Sequence, residues 1–411
     1  MKKQTLAWLL VMAISFSLVA CSKAPADTQT TEPTATEVAT EATMAPTVAP
    51  TTEPTTEPTT APTEPRKELG PLLELRGELP ALQSREEMLE ILQREVYGYM
   101  PAAPTDATFT VKKNVDDNFC AGHAYLHEVT MTCTVNGSEF SFPFRLALPK
   151  GSEKVPFFVY IGFTRSTSKY LPTEELIDNG YAVLYFNYEE VASDDSKLDN
   201  GLAAALYPEG KRGDTDPGKI AMWAWAASRV LDYAETNERL DMSRAAVCGH
   251  SRTGKAALLA GATDTRFQFT YSNNSGTSGA AITRRTAGET LQRITSLFPY
   301  WFCKNYKNWV ARESEMPFDQ HYLLACIAPR KVLVGSASKD ANADPLSEQL
   351  ACLAASPAFE NGFVCNVVAV AGEEFFEGDI GYHLRDGTHY FSRTDWLKLI
   401  KFIDYHTTKA E

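Results

Sequence analysis

Ala245-Ala-Val-Cys-Gly-His-Ser-Arg-Thr-Gly-Lys-Ala-Ala-Leu-Leu-Ala-Gly-Ala262 reads as an apolar strand, a tight turn and an apolar helix in one uninterrupted run. A strand that bends directly into a helix thrusts the middle residue of the bend outward at the helix N-terminus. Ser251 holds that position. Gly249, two residues before it, relieves the crowding of the bend, and the helix dipole favours negative charge developing on a carbonyl attacked there. The frame departs from a plain Gly-x-Ser-x-Gly, because Thr253 stands at the second glycine position and Gly254 follows one residue later. A Gly-x-Ser alone is common in long chains and carries little. Between strand Ala245–Cys248 and helix Lys255–Ala262 it predicts a nucleophile elbow, with Ser251 as the nucleophile.

Outward from the elbow the chain repeats the same grammar. Val155–Ile161, Tyr181–Phe186, Phe267–Tyr271, Lys331–Gly335 and Val364–Val370 are short runs that are nearly apolar throughout. Strands apolar on both faces belong inside a parallel sheet covered by helices. Lys219 to Asn237, with Ile220, Trp223, Ala227, Val230, Leu231 and Ala234 at three- and four-residue steps, predicts a helix. Upstream, Ala107 to Pro149 alternates instead, and Asn136-Gly137 separates two alternating segments, the signature of an antiparallel hairpin. The expected fold is a three-layer αβα sandwich, its mostly parallel sheet opening on an antiparallel N-terminal start.

A serine hydroxyl needs a base to take its proton, and in such sheets the order along the chain is serine, acid, histidine. Of the downstream histidines, His389 lies in Arg385-Asp-Gly-Thr-His389, a loop ahead of the predicted helix Trp396–Tyr405, and is the expected base. His383 is its rival; His321 and His406 read as structural. For the acid, strand Lys331–Gly335 runs into Asp340 and then Asp344. Asp340 is nearer the strand end, whereas Asp344, followed by Pro345, also fits a helix cap.

The N-terminus speaks of compartment. Met1-Lys-Lys3, the apolar run Leu6 to Ala20 and Leu18-Val-Ala-Cys21 form a secretion signal too short to span a membrane, ending like a bacterial lipobox. Residues 1–21 are expected to be that leader, with Cys21 as the lipid attachment site on the extracytoplasmic cell surface. Residues 22–66, rich in Thr, Pro and Glu, bury nothing and read as a disordered tether, leaving 67–411 as the catalytic domain. The net charge of −13 and the lack of a basic cluster argue against nucleic acid as a partner. No CxxC pair or Cys/His cluster has the spacing of a metal site, so a structural zinc is not expected. Cys120 and Cys133 could pair across neighbouring strands. A monomer is expected.

More than the elbow is distinctive. Gly249-His-Ser-Arg-Thr-Gly-Lys255, Ser275-Gly-Thr-Ser-Gly-Ala-Ala-Ile-Thr-Arg-Arg285, Gly288-Glu289, Phe298-Pro-Tyr-Trp-Phe-Cys303, Asp319-Gln-His-Tyr-Leu-Leu-Ala-Cys-Ile-Ala-Pro-Arg330 and Ala343-Asp-Pro345 occur in that order. Together they resemble the glucuronoyl esterases of carbohydrate esterase family 15, over most of residues 70–410. The resemblance implies an α/β-hydrolase fold and hydrolysis of (4-O-methyl-)glucuronate esters, as in lignin–glucuronoxylan cross-links, by a Ser-His-Asp acyl-enzyme route without a cofactor. It also implies Arg252 as a stabiliser of the oxyanion and Lys255, Glu289 and Trp301 as substrate contacts. Two positions depart from the family pattern: Asn274 stands where some members carry a catalytic glutamate, and Asn342 where many carry a sugar-lining tryptophan. An amide cannot balance a histidine cation, which favours Asp340. An esterase for acetyl or other simple esters, and a catalytically impaired glycan-binding protein, are the competing readings.

Overall fold

The computed structural model describes residues 65–151, 153–165 and 170–408. The leader, Cys21 and the tether up to residue 64 lie outside the described residues. Arg66, at the end of the predicted tether, is bound to the body of the protein through Glu373, at 2.7 Å, and the carbonyl of Val368.

The alternating N-terminal segment forms β1 (Thr108–Lys112), β2 (Ala124–Val135) and β3 (Ser138–Pro149), paired antiparallel in sequence. Asn136 and Gly137 make the hairpin turn at φ 50° and 79°, the left-handed pair that a two-residue loop requires. The apolar runs become β4 (Val155–Gly162), β5 (Ala182–Asn187), β6 (Leu240–His250), β7 (Phe269–Asn273) and β8 (Lys331–Ala337); β9 (Glu374–Phe375) and β10 (Ile380–Arg385) complete the sheet. Its order is β1-β2-β3-β5-β4-β6-β7-β8-β10-β9, parallel from β5 through β10. Successive residues feed opposite faces. In β4, Phe157, Val159 and Ile161 join the core under helices Lys219–Glu235 and Arg252–Thr263, while Phe158 and Tyr160 join the core under helix Arg393–Thr408. Two such cores on one sheet are the three layers of the α/β-hydrolase fold.

One strand was misplaced by the sequence reading. Val364–Val370 is no strand: only isolated bridges at Phe363 and Val367 touch it, and Val364 and Val370 remain about half exposed. The position beside β8 belongs to β10, whose Gly381 and His383 disguise its apolar character. A Cβ at Gly381 would sit 2.6 Å from the Phe402 ring, so glycine lets helix Arg393–Thr408 lie against the strand. His383, the rival base, is therefore a core residue, its Nε2 2.9 Å from the Tyr271 hydroxyl. The seven cysteines among the described residues, Cys120 and Cys133 included, are unpaired.

Candidate active site

Ligand sites in open α/β sheets form beyond the carboxyl ends of the parallel strands, and there β6 bends into helix Arg252–Thr263. Ser251 sits in the bend at φ 57° and ψ −125°, a conformation rare for any residue with a side chain. The chain is held in it from several sides. The Ser251 amide donates to the Asn273 carbonyl at 2.9 Å, and the Gly254 amide donates to the Ser251 carbonyl at 2.9 Å. Thr253 explains the departure from the usual glycine. Its hydroxyl accepts from the His250 amide and lies within hydrogen-bond distance of the His250 carbonyl, both at 2.9 Å, bracing the turn. Gly249 is required in the steric sense, since a Cβ there would lie 2.1 Å from the Thr253 carbonyl oxygen.

His389 stands beside this elbow. Its ring centroid is 4.6 Å from that of His250, the residue before the serine, and it is 45% exposed on the open side of the site. The Asp340 carboxylate is 2.6 Å from its Nδ1. Asp340 itself is almost wholly buried, and burial alone would raise its pKa. The hydrogen bond and charge of His389, helped by Asn274, outweigh that and hold the carboxyl below its usual range. Asn274 Nδ2 donates to Asp340 Oδ2 at 2.8 Å, so the amide at that position braces the Asp340 carboxylate. Asp344 is engaged elsewhere: it caps helix Pro345–Ala355 through the Ser347 amide at 3.2 Å and receives the Ala287 amide at 2.8 Å. The structure thus pairs His389 with Asp340 beside the bend that carries Ser251 and engages Asp344 and His383 elsewhere.

Arg252 leaves the elbow toward Asp194, and the two form an ion pair. Asp194 is a centre of donors that the sequence reading missed. Besides Arg252 it accepts from the Tyr188 hydroxyl at 2.9 Å and from Trp301 Nε1 at 2.7 Å, and its carbonyl accepts from the Tyr300 hydroxyl at 3.0 Å. Trp301 is buried, stacked on Phe298 at 3.9 Å, and the Arg252 guanidinium lies 4.9 Å above its ring. Tryptophan and carboxylate together fix the arginine's direction, while its buried Nε–H has no partner among the described residues. A charged donor beside the Ser251 bend could stabilise an oxyanion formed there. The available signal for Asp194 was positional: it lies in the loop after the carboxyl end of β5, where site residues collect, but no motif marks it.

Lys255, one turn along the helix, is buried, and its ammonium donates to the carbonyls of Ser275 and of Thr277, the latter at 2.6 Å. Burial lowers its pKa to about 8 against the pull of Glu289 and Glu348. Glu289 is mostly buried, and its amide donates to the Asn342 carbonyl at 2.9 Å. Asn342 therefore holds Glu289 through its backbone, while its side chain is exposed. Glu348, also missed, holds the neighbouring loop. It accepts from the Gly276 amide at 2.9 Å and the Ser336 hydroxyl at 2.5 Å. Its burial raises its pKa to about 7 in spite of those hydrogen bonds. Among the described residues no group of His, Cys, Asp and Glu side chains could hold a metal ion.

Comparison with known proteins adds to the geometry. A family model for fungal glucuronyl esterases matches residues 131–361. A carbohydrate esterase of an unknown prokaryotic organism is 32% identical, over 79% of this chain and 84% of its own length. The 4-O-methyl-glucuronoyl methylesterase of Hypocrea jecorina is 29% identical over 60% of this chain, and this chain spans about half (51%) of that protein. Among solved structures, a glucuronoyl esterase from Solibacter usitatus superposes with a TM-score of 0.73 at 31% identity, covering 80% of this chain and 97% of its own. A promiscuous esterase of carbohydrate esterase family 15 from a marine bacterial metagenome gives 0.71 at 31% identity, covering 78% and 91%.

Proposed function

The chain belongs to the glucuronoyl esterases of carbohydrate esterase family 15, and from that premise we propose that it hydrolyses esters of (4-O-methyl-)D-glucuronic acid, such as those joining lignin alcohols to glucuronoxylan. The observation that carries the proposal is the Asp340–His389 pair at 2.6 Å beside the strained Ser251 elbow, with Arg252 aimed by Asp194. His389, oriented by Asp340, takes the Ser251 proton as the hydroxyl attacks the ester carbonyl. Arg252 and backbone N–H groups receive the oxyanion. His389 then protonates the departing alcohol, and a water molecule, deprotonated in turn, cleaves the acyl-enzyme to release glucuronate and regenerate Ser251. Lys255, Glu289 and Trp301 form the sugar side of the site. A pocket built from two cations and a carboxylate suits a polyhydroxylated uronate better than a bare acetyl group.

The reading extends to location. The apolar run ending in Leu18-Val-Ala-Cys21 supports export and lipid attachment at Cys21, and the Thr/Pro/Glu-rich segment supports a tether that lets the enzyme reach an insoluble polysaccharide. Hydrolysis of benzyl glucuronate and of p-nitrophenyl acetate by wild type and Ser251→Ala tests the chemistry. Wild type should strongly prefer the glucuronate ester, and Ser251→Ala should lose that activity with its fold intact. Near-wild-type turnover by the variant, or a preference for acetate, would overturn the assignment.

A further inference from the structure

A cavity of about 560 Å³ is lined in part by Tyr300, whose hydroxyl binds the carbonyl of Asp194, the partner of Arg252. Lys211, Arg212, Lys304 and Lys307 line it, and no Asp or Glu does. The molecule as a whole carries a net charge of −13, so four cations around one acid-free hollow run against its general character. None of the four forms an ion pair among the described residues. Arg212, half-buried, donates only to the carbonyls of Pro217 and Tyr300, at 3.4 and 3.3 Å, and Lys304 donates to the carbonyl of Arg212. Asp216 is the acid close enough to act on Arg212, and it is occupied by the Gly213 amide at 2.5 Å. Lys211, Lys304 and Lys307 are exposed at the mouth and Arg212 is half-buried, so the hollow presents four like charges and no carboxylate to an incoming anion. Tyr300 and Pro299 supply an apolar wall, the usual complement to a few charged groups where a ring is bound. Tyr300 also connects the cavity to the reaction centre, because its hydroxyl holds the Asp194 carbonyl.

We propose that this cavity is a second glycan subsite that takes a uronate residue with a free carboxylate, the carboxylate meeting the four cations and the sugar ring lying on Tyr300 and Pro299. The inference rests on the esterase reading only in supposing a glycan that bears more than one uronate. An ester bound at Ser251 would then be gripped twice by an acidic polymer and once by a small model compound.

The test is a Lys304→Gln/Lys307→Gln double variant assayed on benzyl glucuronate and on the same ester carried by a xylo-oligosaccharide with a second, free glucuronate. The expected result is an unchanged kcat and KM on benzyl glucuronate and a KM about three- to tenfold higher on the oligosaccharide, the size of two lost ionic contacts. Equal KM values for the variant and wild type on the oligosaccharide would overturn the proposal. Titration of Ser251→Ala protein with the de-esterified oligosaccharide, and separately with inorganic phosphate, tests the cavity without catalysis. Saturable oligosaccharide binding that weakens in the Lys304→Gln/Lys307→Gln background supports it, and binding of phosphate alone refutes it. Wild type inert on benzyl glucuronate would instead sink the esterase reading while leaving the titration decisive for the cavity.

Discussion

Replacing Asp194 by Asn should disarm the esterase while leaving Ser251, His389 and Asp340 untouched. Asp194 is 7% exposed and its carboxylate is shared by Arg252, Tyr188 and Trp301. Asparagine keeps the shape but turns an amide N–H₂ toward at least one of these donors and withdraws the counter-charge. Arg252 would then be steered chiefly by its contacts with Trp301 and Phe298, at 4.9 and 5.7 Å from the ring centres, each worth about 0.5–1 kcal/mol at a partly exposed site. Complete removal of an oxyanion donor costs about 2.7–4 kcal/mol in activation free energy. A donor still present but unaimed should cost roughly half of that, about a ten- to thirtyfold fall in kcat. Because the interaction matters in the transition state more than in the ground state, KM should change little. Breaking a buried pair destabilises by about 3–5 kcal/mol, but the Arg252 side chain is 28% exposed, so a loss of about 1–2 kcal/mol is the reasonable figure here. The assay is steady-state hydrolysis of benzyl glucuronate by Asp194→Asn, Arg252→Ala and the double variant, with Tm measured for each. If Asp194 acts through Arg252, the double variant is no slower than Arg252→Ala alone. Additive losses in kcat, or a fall in Tm with kcat preserved, would refute the reasoning and leave Asp194 a structural residue.

Asp340→Asn should lower kcat by about 10³–10⁴-fold, because an amide opposite Nδ1 neither fixes the tautomer of His389 nor balances its cation; residual activity near wild type would move the acid elsewhere. The carboxyl of Asp340 titrates below its ordinary value in the fold, so its stabilisation is present above about pH 4 and disappears as pH falls through the lower folded-state value. Denaturation of wild type and Asp340→Asn should therefore converge on acidification below that point. Glu348 behaves in the opposite sense. Folded, it keeps its proton up to about pH 7, whereas the unfolded chain releases it near pH 4.3, so the folded state binds more protons across that window and stability falls as pH rises. Glu348→Gln should abolish that component, its stability relative to wild type improving from pH 5 to pH 8 in urea titrations; a difference independent of pH would show that Glu348 is not protonated in the fold.

Much of this enzyme is written in its local chemistry. The elbow around Ser251 needs a strand, a glycine and a helix start within a dozen residues, and each is visible because backbone sterics act between neighbours. Strands β4 to β8 were legible for a similar reason: burial on both faces demands unbroken apolar runs. The same rule misled at Val364–Val370, where Val364 and Val370 face water, and hid β10, whose Gly381 and His383 are explained only by the helix and tyrosine packed against them. Choosing between Asp340 and Asp344 also lay beyond the chain order, since the two differ by four positions and both precede the same helix. The fold turns Asp340 toward His389 and Asp344 into the cap of Pro345–Ala355.

Asp194 marks the limit most clearly. Nothing near it in the chain announces a role, because Arg252 lies 58 positions and Trp301 107 positions away. Sequence patterns report forces between neighbours, which is why the strand-turn-helix elbow, the three layers and the family resemblance could be read from residues alone. The aim of Arg252, the pairing of Asp340 with His389 and the gathering of four cations into one hollow arise from contacts between distant segments. Those are set by how the layers pack, and only the folded chain brings them together.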